Sequence, residues 1–477
     1  MALITDANRR WWGLGALSVS LFMIMLDNTV VSVALPSIQS DLGSSLTQLE
    51  WVINAYAMVF AVLLLTGGKL ADYLGRRRIF VLGLVVFSAS SLWCGLASTG
   101  GMLISARAVQ GIGAALMLPA TLSIISATFA ARERGTAIGI WAGVSAMALA
   151  IGPLLGGVIT EHISWNWIFY VNVPIGVLGV VASIVVVPES RDTSHEQRLD
   201  LPGLLTSGIG LLALVYALIE AHSFGWTSAR ILSLFVIAAV ALAAFVYVEM
   251  HQRLPMLDLT LFRNGTFTGA NIVAILVTLA MFGIFVFFPI YMQTFLHWSP
   301  IQSGAALLPW TILIVIFAPI AGRLSDLVGS RWLMAGGMTT VALCCLELST
   351  VSVNSGFWRM LPGFILGGLG MAFVMTPMSA AVMGAAPVDK AGVASGVLNT
   401  FRQVGVALGI AIMGAIITNR EAAAARAGAD PPHAFVHGLT FGMRVSALIC
   451  LGAAVAAAVL VRKYRHAEQA QPLAEAA

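Results

Sequence analysis

Two stretches decide the fold: residues 68–78 read GKLADYLGRRR and residues 322–332 read GRLSDLVGSRW. Gly68/Gly322, Leu70/Leu324, Asp72/Asp326 and Gly75/Gly329 match across them at a constant offset of 254 positions. Each stretch closes one apolar run and opens the next, so the same helix-to-helix junction is written twice. A second echo has an offset of 257, placing Gly135, Gly139, Gly152 and Gly157 over Gly392, Gly396, Gly409 and Gly414. Two echoes at nearly one offset indicate an internal duplication rather than chance small-residue matches.

The composition says what is duplicated. Of 477 residues, 59% are hydrophobic and only 10% charged, whereas soluble domains carry roughly 25% charged residues. The apolar runs are uninterrupted over about 20 residues, the length a spanning helix needs, and lack the alternation of a β-barrel strand. The class is therefore an all-α polytopic membrane protein. The net charge of +4 comes from loop arginines and does not point to nucleic acid. Cys94, Cys344, Cys345 and Cys450 lie inside apolar runs with no CxxC spacing and read as small core residues. Arg9 and Arg10 precede a run too long for a signal peptide, which reads as the first span.

Punctuation by Pro, Gly and charge predicts fourteen spans: 12–33, 51–68, 79–97, 102–128, 136–160, 167–187, 201–221, 231–248, 267–291, 304–321, 332–353, 360–383, 392–418 and 442–461. Both termini then lie on one side. That side carries eighteen of the 25 basic residues and the other side five, with Arg107 and Arg402 inside spans, so the termini are expected in the cytoplasm. With the seventh and eighth spans set aside, each echo falls on the second and fifth spans of a six-span unit. The predicted arrangement is 6 + 2 + 6: a bundle at 1–188, an inserted pair with its linkers at 189–263, a second bundle at 264–463 and a disordered tail at 464–477.

Four motifs now carry a resemblance: LDNTVVSVALPSI from Leu26, GKLADYLGRRR from Gly68, LISARAVQGIGAA from Leu103 and GPLLGG from Gly152. In this order and on these spans, the chain resembles the major facilitator superfamily, in particular its fourteen-helix drug/proton antiporter branch. Ser32, Ala148 and Asn166 depart from the family pattern, where asparagine, glycine and arginine are common. The resemblance implies a transporter rather than an enzyme. No GxxxxGK[ST], HExxH or GxSxG occurs, so neither an ATP site nor a metal or nucleophile site is expected, and the drive is the proton gradient. All eight histidines fall in loops or tails, so a proton relay inside the membrane must use a carboxylate.

Asp27 is that carboxylate. A charge at a span centre costs roughly 2.5–3.5 kcal/mol on insertion scales, so an intramembrane Asp or Arg is a functional hypothesis by default. At 1.5 Å per residue Asp27 lies about 9 Å and Arg107 about 8 Å below the same outer surface, which puts them at one level. Two readings stand: Asp27 binds and releases the coupling proton under the control of Arg107, or the two form a permanent structural ion pair. The resemblance favours the first. Gln110 and Met117 follow Arg107 along one helical face and read, with Asn54, as cavity wall. Arg402, with Asn399 and Gln403, either lines the central cavity from the second half or holds helices together.

Asp72 and Asp326, with Arg76, Arg77 and Arg331, read as a cytoplasmic gate in which each carboxylate meets an arginine or a helix N-terminus; Gly68 and Gly75 would let helix ends approach closely. The alternative is that the arginines only enforce topology. Gly143, Gly152, Pro153, Gly156 and Gly157 form a small-residue face, and the resemblance makes it the antiporter motif that closes against a second-half helix.

The expected function is a proton-coupled exporter of lipophilic, cationic or amphipathic drugs, working by alternating access as a monomer in the inner membrane of a bacterium, with membrane lipid and protons as its other partners. A dedicated exporter of one endogenous metabolite or antibiotic is the alternative; the glycine motif argues against an importer. A membrane enzyme or receptor would need more extramembrane chain than the hydrophilic stretches 188–200 and 419–437 supply.

Overall fold

The computed structural model describes residues 8–44, 46–191, 200–252 and 255–462; the tail expected to be disordered at 464–477 lies outside the described residues. Every regular element among them is helical: α1 Arg9–Leu42, α2 Leu46–Leu74, α3 Arg76–Gly95, α4 Gly100–Thr128, α5 Ala131–His162, α6 Trp167–Tyr170, α7 Asn172–Val186, α8 Leu201–Phe224, α9 Ala229–His251, α10 Gly265–Ile290, α11 Pro300–Ala306, α12 Leu308–Val328, α13 Ser330–Leu348, α14 Phe357–Ala385, α15 Ala391–Arg426 and α16 Pro431–Leu460, with short 3-10 and π turns between some of them.

Helices occupy all fourteen stretches read as spans. Twelve spans among the described residues are long and apolar enough to cross a membrane, which makes the chain a multi-pass membrane protein. Among the longer helices, α5 and α13 lie outside that set and carry charged residues near their ends. Several helices outrun the expected spans, α1 most of all with 34 residues. Two spans are broken. The break between α6 and α7 falls just before Pro174, which cannot donate to the carbonyl four residues back, and Pro309 sits similarly just past the break between α11 and α12.

Helices α1 to α7 pack on one another as one bundle and α10 to α16 as a second, with α8 and α9 paired on the flank against α2 and α15. The bundles meet where α5 lies on α12 and α2 lies on α15. The duplication is visible here: a Cβ on Gly139 would meet Ala318, and one on Gly396 would meet Leu64, the residue 254 positions before Ala318. All four cysteines are buried and free.

Candidate functional site

Asp27 on α1 and Arg107 on α4 touch: an Arg107 Nη1 hydrogen donates to Asp27 Oδ2 at 2.5 Å. Both are buried, with 2% and 1% of their surface exposed, so neither is hydrated from a cavity in this conformation. Further contacts hold both side chains. Arg107 Nε donates to the Val52 carbonyl at 3.1 Å, Nη1 also reaches Gln110 Oε1 at 2.6 Å, and the guanidinium lies 4.3 Å from the Tyr56 ring centre. Asp27 Oδ1 accepts from Gln110 Nε2 at 3.0 Å and Asn172 Nδ2 at 3.5 Å, and both amides also donate to Ser91 Oγ. Five helices of one bundle thus converge on one carboxylate. A proton arriving on Asp27 Oδ2 would put a donor where Arg107 Nη1 now finds an acceptor and remove the ion pair, while Oδ1 could still accept from the two amides.

Gln110 is therefore part of this cluster and not cavity wall. It is fully enclosed, as is Met117 on the same face of α4, because that face packs on α2 and α3. Asn54 is half-buried. In the second bundle Asn399 is buried and donates to the Ser395 carbonyl at 2.9 Å, while Arg402 and Gln403 are half-buried.

At the end of the molecule bearing the duplicated junctions, Asp72 spans the two bundles. Its Oδ1 accepts from Gly392 N at 3.0 Å and its Oδ2 from Val393 N at 2.9 Å, in the first turn of α15, where the helix dipole favours a negative group. Arg76 holds the same Oδ1 through Nε at 3.0 Å and Nη2 at 2.9 Å, and Nη2 also reaches the carbonyls of Val388 and Asp389. The second copy is reciprocal: Asp326 on α12 accepts from Gly135 N at 3.0 Å and Thr136 N at 3.2 Å on α5. Glycine makes both approaches possible, since a Cβ on Gly68 would fall on the Gly392 carbonyl and one on Gly322 on the Gly135 carbonyl. Gly75 and Gly329 turn the chain between the paired helices at φ +112° and +87°, where a side chain would be strained.

Three gate and glycine expectations change. Arg77 joins no inter-bundle contact: its amide donates to Glu189 Oε1 at 3.1 Å and its guanidinium lies 3.7 Å from Glu189 Oε2, within its own bundle. Arg331 lies over the Trp332 ring and its Nε has no acceptor. The α5 motif divides: Gly143 faces Val315 of α12, but Gly152 and Gly156 face Thr29 and Val30 of α1, and Gly157 meets nothing within 4 Å. A helix of 32 residues cannot keep one face on one neighbour where the bundles cross. Pro153 lies within α5.

Sequence reasoning passed over Ser91, Tyr56, Asn172 and Glu189. Ser91 and Asn172 were visible as polar residues inside apolar spans; Glu189 carried no signal beyond its charge. Glu347, near the end of α13, pairs with Arg359 at 2.8 Å.

The Major Facilitator Superfamily model matches residues 17–410 and again 270–477. The chain belongs to that superfamily. This facilitator is 39% identical over 460 residues to the puromycin resistance protein of Streptomyces alboniger, covering 95% of this chain and 90% of the relative. It is 33% identical over 412 residues to the tetracenomycin C resistance and export protein of Streptomyces glaucescens, covering 86% and 77%. Among solved structures it is similar to the proton:xylose symporter XylE, with a TM-score of 0.71 at 14% identity over 96% of this chain and 97% of that one. That likeness is one of fold. The superfamily is one of transporters, not enzymes.

Proposed function

We propose that this facilitator is a proton-coupled antiporter that exports lipophilic or amphipathic small molecules, antibiotics among them, by alternating access. Export is supported by relatives named for resistance and export. The observation that carries the coupling is the Asp27 cluster: the carboxylate sits in the core of one bundle and is held by the charge of Arg107, so protonation releases the ion pair that ties α1 to α4. Arg107 is the counter-charge that Asp27 gives up on protonation, and Asn399, Arg402, Gln403 and Asn54 belong to the substrate path. Asp72 and Asp326 hold the cytoplasmic end shut in the conformation described. The reading includes fourteen spans in a 6 + 2 + 6 order with α8 and α9 as the inserted pair, bundles at 1–188 and 264–463, an inserted unit at 189–263, cytoplasmic termini and a monomer in a bacterial inner membrane.

Everted vesicles test the coupling. Asp27→Asn keeps size and removes the titratable group, so uphill transport on a pH gradient alone should fall to the level of vesicles without the protein while membrane content is unchanged. Wild-type uphill transport by Asp27→Asn would end the assignment.

A further inference from the structure

Arg402 is the one span-centre arginine that the proposed coupling leaves unused. It lies ten residues beyond Gly392 on α15, about 15 Å along the axis at 1.5 Å per residue and so near the middle of a hydrocarbon core about 30 Å thick. Among the described residues its guanidinium has no ion pair, no hydrogen bond and no ring beneath it, whereas Arg76 and Arg107 are each held by a carboxylate and by backbone carbonyls. It is half-buried, with part of its surface accessible.

The two faces of α15 place the side chain. Gly392 and Gly396 lie against α2 of the opposite bundle, while Gly405 and Gly409 lie against α10. Asn399 and Gln403 continue the first face away from the closed end, and Arg402 stands between the two faces. Gln403 also has no hydrogen-bond partner among the described residues and is half-buried. No carboxylate answers it there: Asp27 is enclosed by its own donors, and Asp72 and Asp326 are engaged at the closed end. A cationic substrate, the class expected from resemblance, would meet like charge.

We propose that Arg402 is the substrate-recognition cation, and that the preferred substrates are lipophilic molecules bearing an oxyanion, a carboxylate above all, which the guanidinium fork can take in two parallel hydrogen bonds. An unpaired guanidinium in a low-dielectric space is a standing demand for an anion, and the substrate supplies it on arrival. This deepens the exporter reading and rests on it for the direction of transport, but not for the binding preference.

The full chain in lipid nanodiscs, titrated with three pyrene probes sharing one ring and chain, tests it by energy transfer from tryptophan. The probes are 1-pyrenebutyrate, its methyl ester and the corresponding trimethylammonium. Wild type should bind the carboxylate at least tenfold more tightly than the trimethylammonium. R402Q should lose at least tenfold for the carboxylate and less than twofold for the ester, and the unchanged ester affinity together with a monodisperse elution profile shows that the variant folds. R402K should fall between, keeping charge without the fork. The proposal is overturned if wild type binds the cation as tightly as the carboxylate, if R402Q leaves carboxylate affinity unchanged, or if carboxylate binding does not exceed partition into protein-free nanodiscs. Proton-driven flux in Asp27→Asn vesicles is scored separately, so failure of the coupling reading and failure of the Arg402 assignment give different results.

Discussion

Asp72 and Asp326 occupy matching places at the junctions α2/α3 and α12/α13, and each accepts two backbone N–H groups from the start of a helix in the opposite bundle. Their surroundings are not alike. Asp72 is buried and gripped by Arg76, while the position 254 residues further on is Ser330, whose hydroxyl bonds Ser325 Oγ at 2.8 Å. Asp326 is partly exposed. The duplicated part of the device is thus the close glycine contact and the aim of a carboxylate at helix amides; an arginine at the position of Arg76 is not repeated, since Ser330 stands there. The arginine also binds the carbonyls of Val388 and Asp389 ahead of α15, so in that copy the contact reaches both sides of the helix start.

The largest effect should come from what the two copies share. Gly68→Val and Gly322→Val each force side-chain atoms onto an opposing backbone carbonyl, where no side chain can move aside, at the upper end of the roughly 1–3 kcal/mol typical of overpacking. Both should lose the closed conformation in spin-label distances between the ends of α2 and α15 and of α12 and α5, and transport should fall by a factor of about a hundred. If only Gly68→Val does so, the second copy is a vestige.

Next come the carboxylates. Asp72→Asn removes charge-assisted bonds worth about 1.5–3 kcal/mol, a ten- to hundredfold shift in the open-to-closed ratio, and leaves Arg76 buried without its counter-charge. Asp326 is partly exposed, so water weakens its bonds, and Asp326→Asn should shift the ratio by no more than about tenfold, the lower end of the same range. Equal shifts in the two variants would show that Arg76 adds nothing to the first clasp.

The smallest effect concerns a support found beside the first copy. Lys390, just before α15, pairs with Asp258 of the α9–α10 connection at 2.6 Å. Burial works to raise the Asp258 pKa, but hydrogen bonds from Lys390 and Thr260 outweigh it and hold the carboxyl below its ordinary value. A depressed carboxylate pKa contributes stability above the unfolded-state value and loses it as pH falls through the folded one, so the support fades only in acid. The pair is partly exposed, and Lys390→Ala should cost about 0–1 kcal/mol in thermal unfolding near neutral pH and nothing at acid pH. A loss that persists in acid would mean that Lys390 acts through packing.

Spans, duplication and the Asp27–Arg107 level were legible because each depends on spacing along a helix, and helix rise is fixed. The second clasp was legible as an Asp at the right offset, but its donors, Gly135 and Thr136, were not, since backbone amides carry no mark in a sequence. Gln110 and Met117 were misplaced for a related reason: periodicity shows that residues share a face and is silent on whether helices or water cover it. Gly152 and Gly156 point to α1 because two long helices cross, and a crossing angle is a property of pairs of helices.

The reciprocity of the clasps has a mechanical consequence. With one carboxylate lent by each bundle and received by the other, no rotation axis through either clasp can open both, so the pivot must lie far from them, toward the opposite rim. Over a lever of about 30 Å, the thickness of the hydrocarbon core, a swing of only about 2° moves the far end by about 1 Å, enough to carry a 3.0 Å hydrogen bond past its useful range. In the proposed cycle both fasteners would then release within the same small angle, as in a snap closure.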